Sequence, residues 1–166
     1  MSSVYKQFFH VRWNEADANG HMRNAAYLDM ASDVRMMYFQ ENNITARDLE
    51  QMRVGPVVMK DEIHYFREMK LMDPLEVTLE LAGMAPDGSR FIVRNCYFRQ
   101  DGKISVTINS TGGWLDLDER RLIVPPEPLF DALKNISKTD DFVERPSSIK
   151  TGITSQKSVD GSQYGF

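Results

Sequence analysis

Cysteine is almost absent from this chain of 166 residues, in which Cys96 stands alone. A single cysteine excludes an intrachain disulfide and favours a reducing compartment, so we expect a cytoplasmic protein. No apolar run approaches the ~18 residues of a membrane span. The first residues also lack the apolar core and the small-residue cleavage site of a signal peptide. We therefore expect no membrane partner.

Positive charge is not in excess either. The net charge is −4, whereas a nucleic-acid-binding surface is normally basic, so no nucleic-acid partner is expected. The histidines are scattered and lack an H-x-x-x-H spacing, so we predict no metal site. The chain also has no G-x-S-x-G, P-loop or G-x-G-x-x-G motif. These absences argue against serine hydrolases, P-loop NTPases and dinucleotide-binding enzymes.

Hydrophobic residues make up 42% of the chain, which suits one globular domain. Rough alternation over residues 4–13 predicts a first strand. Apolar side chains at helical spacing then predict a long helix over residues 25–40, with Asn24 as its N-cap. Four segments of period two follow, separated by turn-forming residues. Gly112 and Gly113, inside the last strand, predict a bulge or a close backbone approach.

This order of elements predicts an α+β fold. We expect an antiparallel sheet of about five strands wrapped around one long buried helix. The domain should span residues 1–136, and residues 137–166 are rich in serine, threonine and lysine and form a polar tail. We expect this tail to lie against a protein surface through its few apolar side chains, which are Phe142, Ile149, Ile153, Tyr164 and Phe166.

The junction between the first loop and the long helix is the best clue to function, and we expect the chemistry there. Unpaired amides and the dipole at a helix start favour developing negative charge, here at the backbone near Asn24. Asp17, folded back by Gly20, can activate a water or attack a carbonyl itself. The alternative for Asp17 is a turn or capping role. His21 can assist the reaction or fix the loop, and Glu15 is interpreted as structural.

Three stretches carry a resemblance to a known family: "DANGHMRNAAYL", "HYFREMKLMDPLEV" and "GGWLDLDERRLIVPP". They resemble the hot-dog-fold acyl-CoA thioesterases, in particular the branch related to 4-hydroxybenzoyl-CoA thioesterase. The resemblance covers roughly residues 5–135. It implies hydrolysis of an acyl-CoA to a carboxylate and free coenzyme A, with Asp17 as base or nucleophile and the oxyanion near Asn24. It implies no cofactor beyond the coenzyme A of the substrate.

The same resemblance implies a coenzyme A site and an assembly. Ser89 and Arg90, at the turn before a strand, are candidates to grip the coenzyme A phosphates, the alternative being a solvated turn. In the family the sheets of two subunits join edge to edge and the active site lies between them. We therefore expect a homodimer or a dimer of dimers, in which Asp17 faces Ser89 and Arg90 of the partner subunit.

Two other functions remain open. A hot-dog enoyl-CoA hydratase carries D-x-N-P-x-H at this junction, and "DANGH" is similar, although glycine replaces the proline and the histidine falls one residue early. The second alternative is a non-catalytic acyl-CoA-binding protein with the same fold, which would differ from a thioesterase only in lacking turnover.

Overall fold

The computed structural model describes residues 3–150 and contains three helices and seven strands in that range. The helices are α1 (Asn24–Glu41), α2 (Ala46–Met52) and α3 (Glu127–Lys134). The strands are β1 (Tyr5–His10), β2 (Val54–Tyr65), β3 (Pro74–Met84), β4 (Arg90–Arg99), β5 (Ile104–Asp116), β6 (Arg121–Ile123) and β7 (Lys138–Glu144). A short 3-10 turn, Trp13–Glu15, follows β1.

Five strands form one antiparallel sheet in the order β1-β3-β4-β5-β2. These are the five strands that the alternating pattern predicts. Two short strands add to them: β6 pairs antiparallel with the end of β5, and β7 pairs in parallel with the end of β3. The predicted α+β architecture is confirmed, and the sheet has seven strands rather than about five.

Helix α1 packs on the sheet through one continuous apolar face. The hydroxyl of Tyr97 on β4 donates to the carbonyl of Tyr27, and the rings of Phe39 and Trp114 lie 6.0 Å apart. The opposite side of the helix, which includes Asp29, is exposed in the single chain. The buried residues of the helix are Ala26, Tyr27, Met30, Ala31, Val34, Tyr38 and Phe39.

The start of α1 differs from the prediction by one residue. Arg23, not Asn24, is the N-cap: its backbone is extended at φ −73° and ψ 153°, whereas Asn24 is already helical. No side chain caps this helix start. The Asn24 side chain therefore does not accept the hydrogen bond from a first-turn amide that an N-cap side chain would accept. Helix α2, by contrast, has the capping box of Thr45 and Asp48.

Gly112 marks a close approach, as predicted. A Cβ atom at this position would lie 2.6 Å from the Phe91 ring and 2.9 Å from the Val57 carbonyl oxygen. On the neighbouring strand β2 the register shifts between Val58 and Lys60. Only glycine lets the backbone of β5 pass this close to the Phe91 ring.

The segment after residue 137 begins with a strand, which the polar-tail prediction did not include. Strand β1 covers β3 only as far as Leu79, so the end of β3 has a free edge, and β7 pairs there. Gly83 makes this pairing possible, because a Cβ atom would lie 2.8 Å from the Val143 carbonyl oxygen. Phe142 packs against the core. The predicted anchors Ile153, Tyr164 and Phe166 lie outside the described residues.

Strand β2 forms one edge of the sheet. It is twelve residues long and pairs only with β5 in the described part of the chain. Apolar side chains along and just beyond this edge are about half exposed: Val58, Met59, Tyr65 and Phe66. A long, apolar, open edge is a surface that tends to pair with another strand.

Candidate active site

Backbone hydrogen bonds hold the loop between β1 and α1 in a fixed shape. Ala16 and Met22 pair across a narrow hairpin, which Gly20 turns at φ +73°, a conformation that favours glycine. The segment after β2 lies alongside. There the Met22 amide donates to the Met69 carbonyl at 2.8 Å, and the Leu71 amide donates to the Gly20 carbonyl at 3.0 Å. The loop is therefore clamped directly before the helix begins.

Asp17 lies in the turn of this hairpin and is exposed. Its Oδ1 atom accepts hydrogen bonds from the amides of Asn19, at 2.8 Å, and His21, at 3.1 Å. Its Oδ2 atom accepts no hydrogen bond from any described residue. Asp17 thus forms the turn with one oxygen and leaves the other available to water or a ligand.

Glu15 is buried, and its carboxylate is fully engaged within the loop. Arg12 donates to it from the backbone amide at 2.8 Å and from the guanidinium at 2.5 Å. Burial by itself raises the pKa of the Glu15 carboxyl, but the hydrogen bonds and charge of Arg12 outweigh it and hold the pKa below its ordinary value. This rival carboxylate therefore supports the loop and does not face solvent.

His21 is tied to the segment after β2. Its Nε2 atom lies 3.0 Å from a carboxylate oxygen of Glu68, and the other oxygen of Glu68 lies 3.7 Å from the ammonium of Lys70. The backbones of His21 and Lys70 also form a β-bridge. The imidazole therefore joins two segments of the candidate site, and within the described residues no hydrogen bond links the His21 and Asp17 side chains.

Two backbone amides at the start of α1 are unpaired. The Ala26 amide donates to the Arg23 carbonyl at 3.0 Å, whereas those of Asn24 and Ala25 make no hydrogen bond within the described part of the chain. No acidic side chain lies in the first turn of the helix. The positive end of the helix dipole is therefore free to receive an anion.

The structure places Ser89 and Arg90 at the far end of α1 from Asp17. They follow the β3–β4 turn, where the Trp114 indole donates to the Gly88 carbonyl at 3.2 Å, and Trp114 packs on Phe39 near the helix end. A helix of 18 residues is about 27 Å long. One chain therefore does not bring the two predicted parts of the site together.

The chain itself covers this second predicted part. Ser89 is fully buried, and its hydroxyl accepts a hydrogen bond from the Ser148 amide at 2.9 Å. The Ser147 hydroxyl donates to Asp87 at 2.5 Å, and the Arg90 guanidinium donates to the Ser148 hydroxyl at 3.2 Å. Burial raises the pKa of Asp87, but the serine hydrogen bonds more than compensate and lower it. We call residues 145–149 the strap.

Several residues of these two regions were missed in the sequence. Glu68, Ser147 and Ser148 contact partners far away along the chain, so local spacing holds no signal for them. Arg35, further along α1, is recognisable in the sequence. It is the one cation within Asn24–Glu41, and Val34 and Met36 flank it.

Two features are absent from the described residues. No helix there has the length and apolarity needed to cross a bilayer. No cluster of histidine, cysteine, aspartate or glutamate side chains there is arranged to hold a metal ion.

A family model for the thioesterase-like superfamily matches residues 11–137. The match includes the Asp17 loop, the whole of α1 and the five strands β2 to β6. The chain belongs to the thioesterase-like superfamily. The predicted family is thereby confirmed. No curated protein matches the chain significantly.

Solved structures share the fold of this thioesterase-like chain. A Staphylococcus aureus protein in complex with CoA has a TM-score of 0.74 and 20% identity, and the match covers 92% of this chain and 96% of that one. A 1,4-dihydroxy-2-naphthoyl-CoA thioesterase of Synechocystis has a TM-score of 0.72 and 14% identity, with 81% and 98% covered. A DHNA-CoA thioesterase of Staphylococcus aureus has a TM-score of 0.67 and 15% identity, with 73% and 80% covered. The predicted hot-dog fold is confirmed.

Proposed function

We propose that this protein is an acyl-CoA thioesterase, which hydrolyses an acyl-CoA to a carboxylate and free coenzyme A. The junction before α1 carries the proposal. There the Oδ2 atom of Asp17 is unengaged, the backbone holds its carboxylate, and the unpaired amides of Asn24 and Ala25 begin the helix. Family membership and the CoA-related names of the similar structures support this choice.

In the proposed reaction, Asp17 supplies the attacking oxygen in one of two ways. As a general base, it takes a proton from a water molecule while that water attacks the thioester carbonyl. As a nucleophile, it attacks the carbonyl itself and forms an anhydride, which water then hydrolyses. In both cases negative charge develops on the carbonyl oxygen, and the amides of Asn24 and Ala25 stabilise it. The C–S bond then breaks, and the coenzyme A thiolate leaves and takes up a proton.

We assign the other candidates supporting roles. His21 holds the loop against the segment after β2, because its Nε2 atom is already paired with Glu68. Ser89 and Arg90 are proposed to bind the phosphates of coenzyme A, whose negative charge suits a guanidinium. Such binding requires Ser147 and Ser148 of the strap to release these two residues.

The proposed enzyme acts as a homodimer or a dimer of dimers. The coenzyme A site of one subunit then complements the Asp17 site of the other, since about 27 Å separates them within a chain. The apolar edge of β2 is the proposed contact.

We propose a cytoplasmic location, which fits the single, buried Cys96. The reaction as written needs no metal or redox cofactor, because only water, a carboxylate and a proton take part.

A thiol-release assay over a panel of acyl-CoA substrates tests the proposal. We expect turnover with at least one acyl-CoA. We expect no hydration of an enoyl-CoA, which would be measured as a loss of its ultraviolet absorbance. Enoyl-CoA hydration without thiol release would replace the proposal by the hydratase alternative. Tight binding of acyl-CoA with neither reaction would identify a non-catalytic binding protein.

A further inference from the structure

A small apolar cavity lies beside the C-terminal half of α1. Its volume is about 170 Å³, and its walls come from the helix, from β2 to β4 and from the region of α3. Representative lining residues are Phe39, Val57, Leu79, Phe91 and Leu133. The space is below the ~300 Å³ at which ligand pockets usually begin, so it suits the end of a ligand rather than a whole one.

Arg35 is the one charged residue that lines this cavity. Its guanidinium donates from Nε to the Ala31 carbonyl at 3.1 Å and from Nη2 to the Ser32 hydroxyl at 3.2 Å. No carboxylate among the described residues forms an ion pair with it. Asp61 acts on it only at longer range and accepts a hydrogen bond from Ser110 at 2.5 Å. Burial lowers the pKa of Arg35, which reflects the cost of holding an unpaired cation there.

Arg35 lies on the same flank of α1 as the proposed oxyanion site. Asn24, Leu28, Ser32 and Arg35 follow one another at helical spacing, so they form one stripe along the helix. Arg35 is about 16 Å from Asn24 along the helix axis. An extended chain whose thioester carbonyl lies at Asn24 can follow this stripe, and only the distal end of a long acyl group reaches Arg35.

We propose that Arg35 binds a carboxylate at the distal end of a long acyl group, so that the substrate class is ω-carboxyacyl-CoA. The inference rests on the proposed thioesterase function. The guanidinium fork matches a carboxylate in geometry and charge, and the cavity walls bury the neighbouring methylene groups. The competing occupant is a carboxylate of a second copy of this chain, which the open β2 edge nearby would bring into reach.

Two matched substrate pairs test this assignment in the full-length protein. The long pair is dodecanedioyl-CoA, with one free carboxylate, and dodecanoyl-CoA; the short pair is succinyl-CoA and butyryl-CoA. We expect kcat/KM to be about tenfold or more higher for dodecanedioyl-CoA than for dodecanoyl-CoA, because a charge-assisted hydrogen bond to Arg35 stabilises only the former. The short pair should show no comparable preference, because neither chain reaches Arg35.

The variant Arg35→Met should abolish the preference within the long pair, and the surface variant Arg47→Met should keep it. Sedimentation of Arg35→Met reports whether assembly is intact. Equal losses on both long substrates, or dissociation of the dimer, would assign Arg35 to the subunit contact and overturn the inference.

Hydrolysis of dodecanoyl-CoA by the wild type without a carboxylate preference would also overturn it and leave the proposed function standing. Hydrolysis of none of the four substrates would count against the proposed function itself.

Discussion

At the scale of single residues, the proposed reaction gives Asp17 two tasks, one for each carboxylate oxygen. Oδ1 holds the turn through the amides of Asn19 and His21, and Oδ2 stays unengaged. An asparagine can accept the same two hydrogen bonds through its side-chain carbonyl oxygen. The two tasks can therefore be separated by experiment, because the amide keeps the turn and removes the base.

Glu15 should contribute to stability and not to turnover. Its pKa is lowered in the folded state, so its contribution is present above the ordinary glutamate pKa and is lost as pH falls through the folded pKa. Glu15→Gln should cost about 1–2 kcal/mol of unfolding free energy at neutral pH. The difference from wild type should shrink in acid, as urea denaturation at both pH values would show. A cost that is equal at both pH values would mean that the charge of Glu15 is irrelevant.

At the residue scale, the sequence indicated the candidate loop around Asp17 but not the residues that support it. Asp17, Gly20 and the helix start are neighbours in the chain, so turn chemistry and helical spacing reveal them together. Glu68 is far from His21 in sequence, so a single sequence gives no sign that these two side chains meet. The N-cap was misplaced by one residue because Asn24 is a strong capping type, yet it adopts helical backbone angles here.

At the scale of elements, the chain after residue 137 is more ordered than its composition predicts. Polar composition favoured a tail, but the short β1 leaves the end of β3 unpaired, and backbone pairing with β7 does not depend on apolar side chains. The strap then continues from β7 onto the β3–β4 turn. Helix α1 and the five main strands were predictable because their periodicity is strong and local.

The strap should compete with coenzyme A at Ser89 and Arg90. Ser147→Ala removes the hydroxyl that bonds to Asp87 and to Ser89 and that accepts from the Ile149 amide, so it weakens the strap by at least one ordinary hydrogen bond. We expect KM for an acyl-CoA to fall about two- to tenfold. The matched acyl-pantetheine thioester, which lacks the nucleotide, should keep its KM and serves as the control. A higher KM for acyl-CoA alone would show instead that Ser147 helps to bind coenzyme A.

At the scale of the whole molecule, one chain carries the two parts of the proposed site at opposite ends of α1. The open β2 edge supplies a route to a second chain, and its exposed apolar residues give that pairing a driving force. The family resemblance implied that the sheets of two subunits join edge to edge. It did not show which strand forms the edge, because strand order follows from long-range pairing.

The variant Met59→Lys should weaken the proposed dimer, because it places a charge on the open edge of β2. We expect it to sediment as a monomer at micromolar concentration and to lose most of its activity. Phe8→Lys is the matched control on β1, the other end of the five-strand order, and should stay dimeric. Dissociation by Phe8→Lys and not by Met59→Lys would move the contact to β1. A fully active monomeric wild type would rule out a shared site.

The turnover of Asp17→Asn tests the central claim most directly, measured as thiol release with the best acyl-CoA of the panel. The amide preserves the turn, so folding and assembly should match the wild type, and Glu15→Gln should keep its rate within a few-fold. If Asp17 is the base, kcat should fall by ~10²–10⁴-fold, with at least as large a loss for a nucleophile. KM should change little if it reflects binding. A folded Asp17→Asn enzyme with near-normal kcat would contradict the account and make His21 the next candidate.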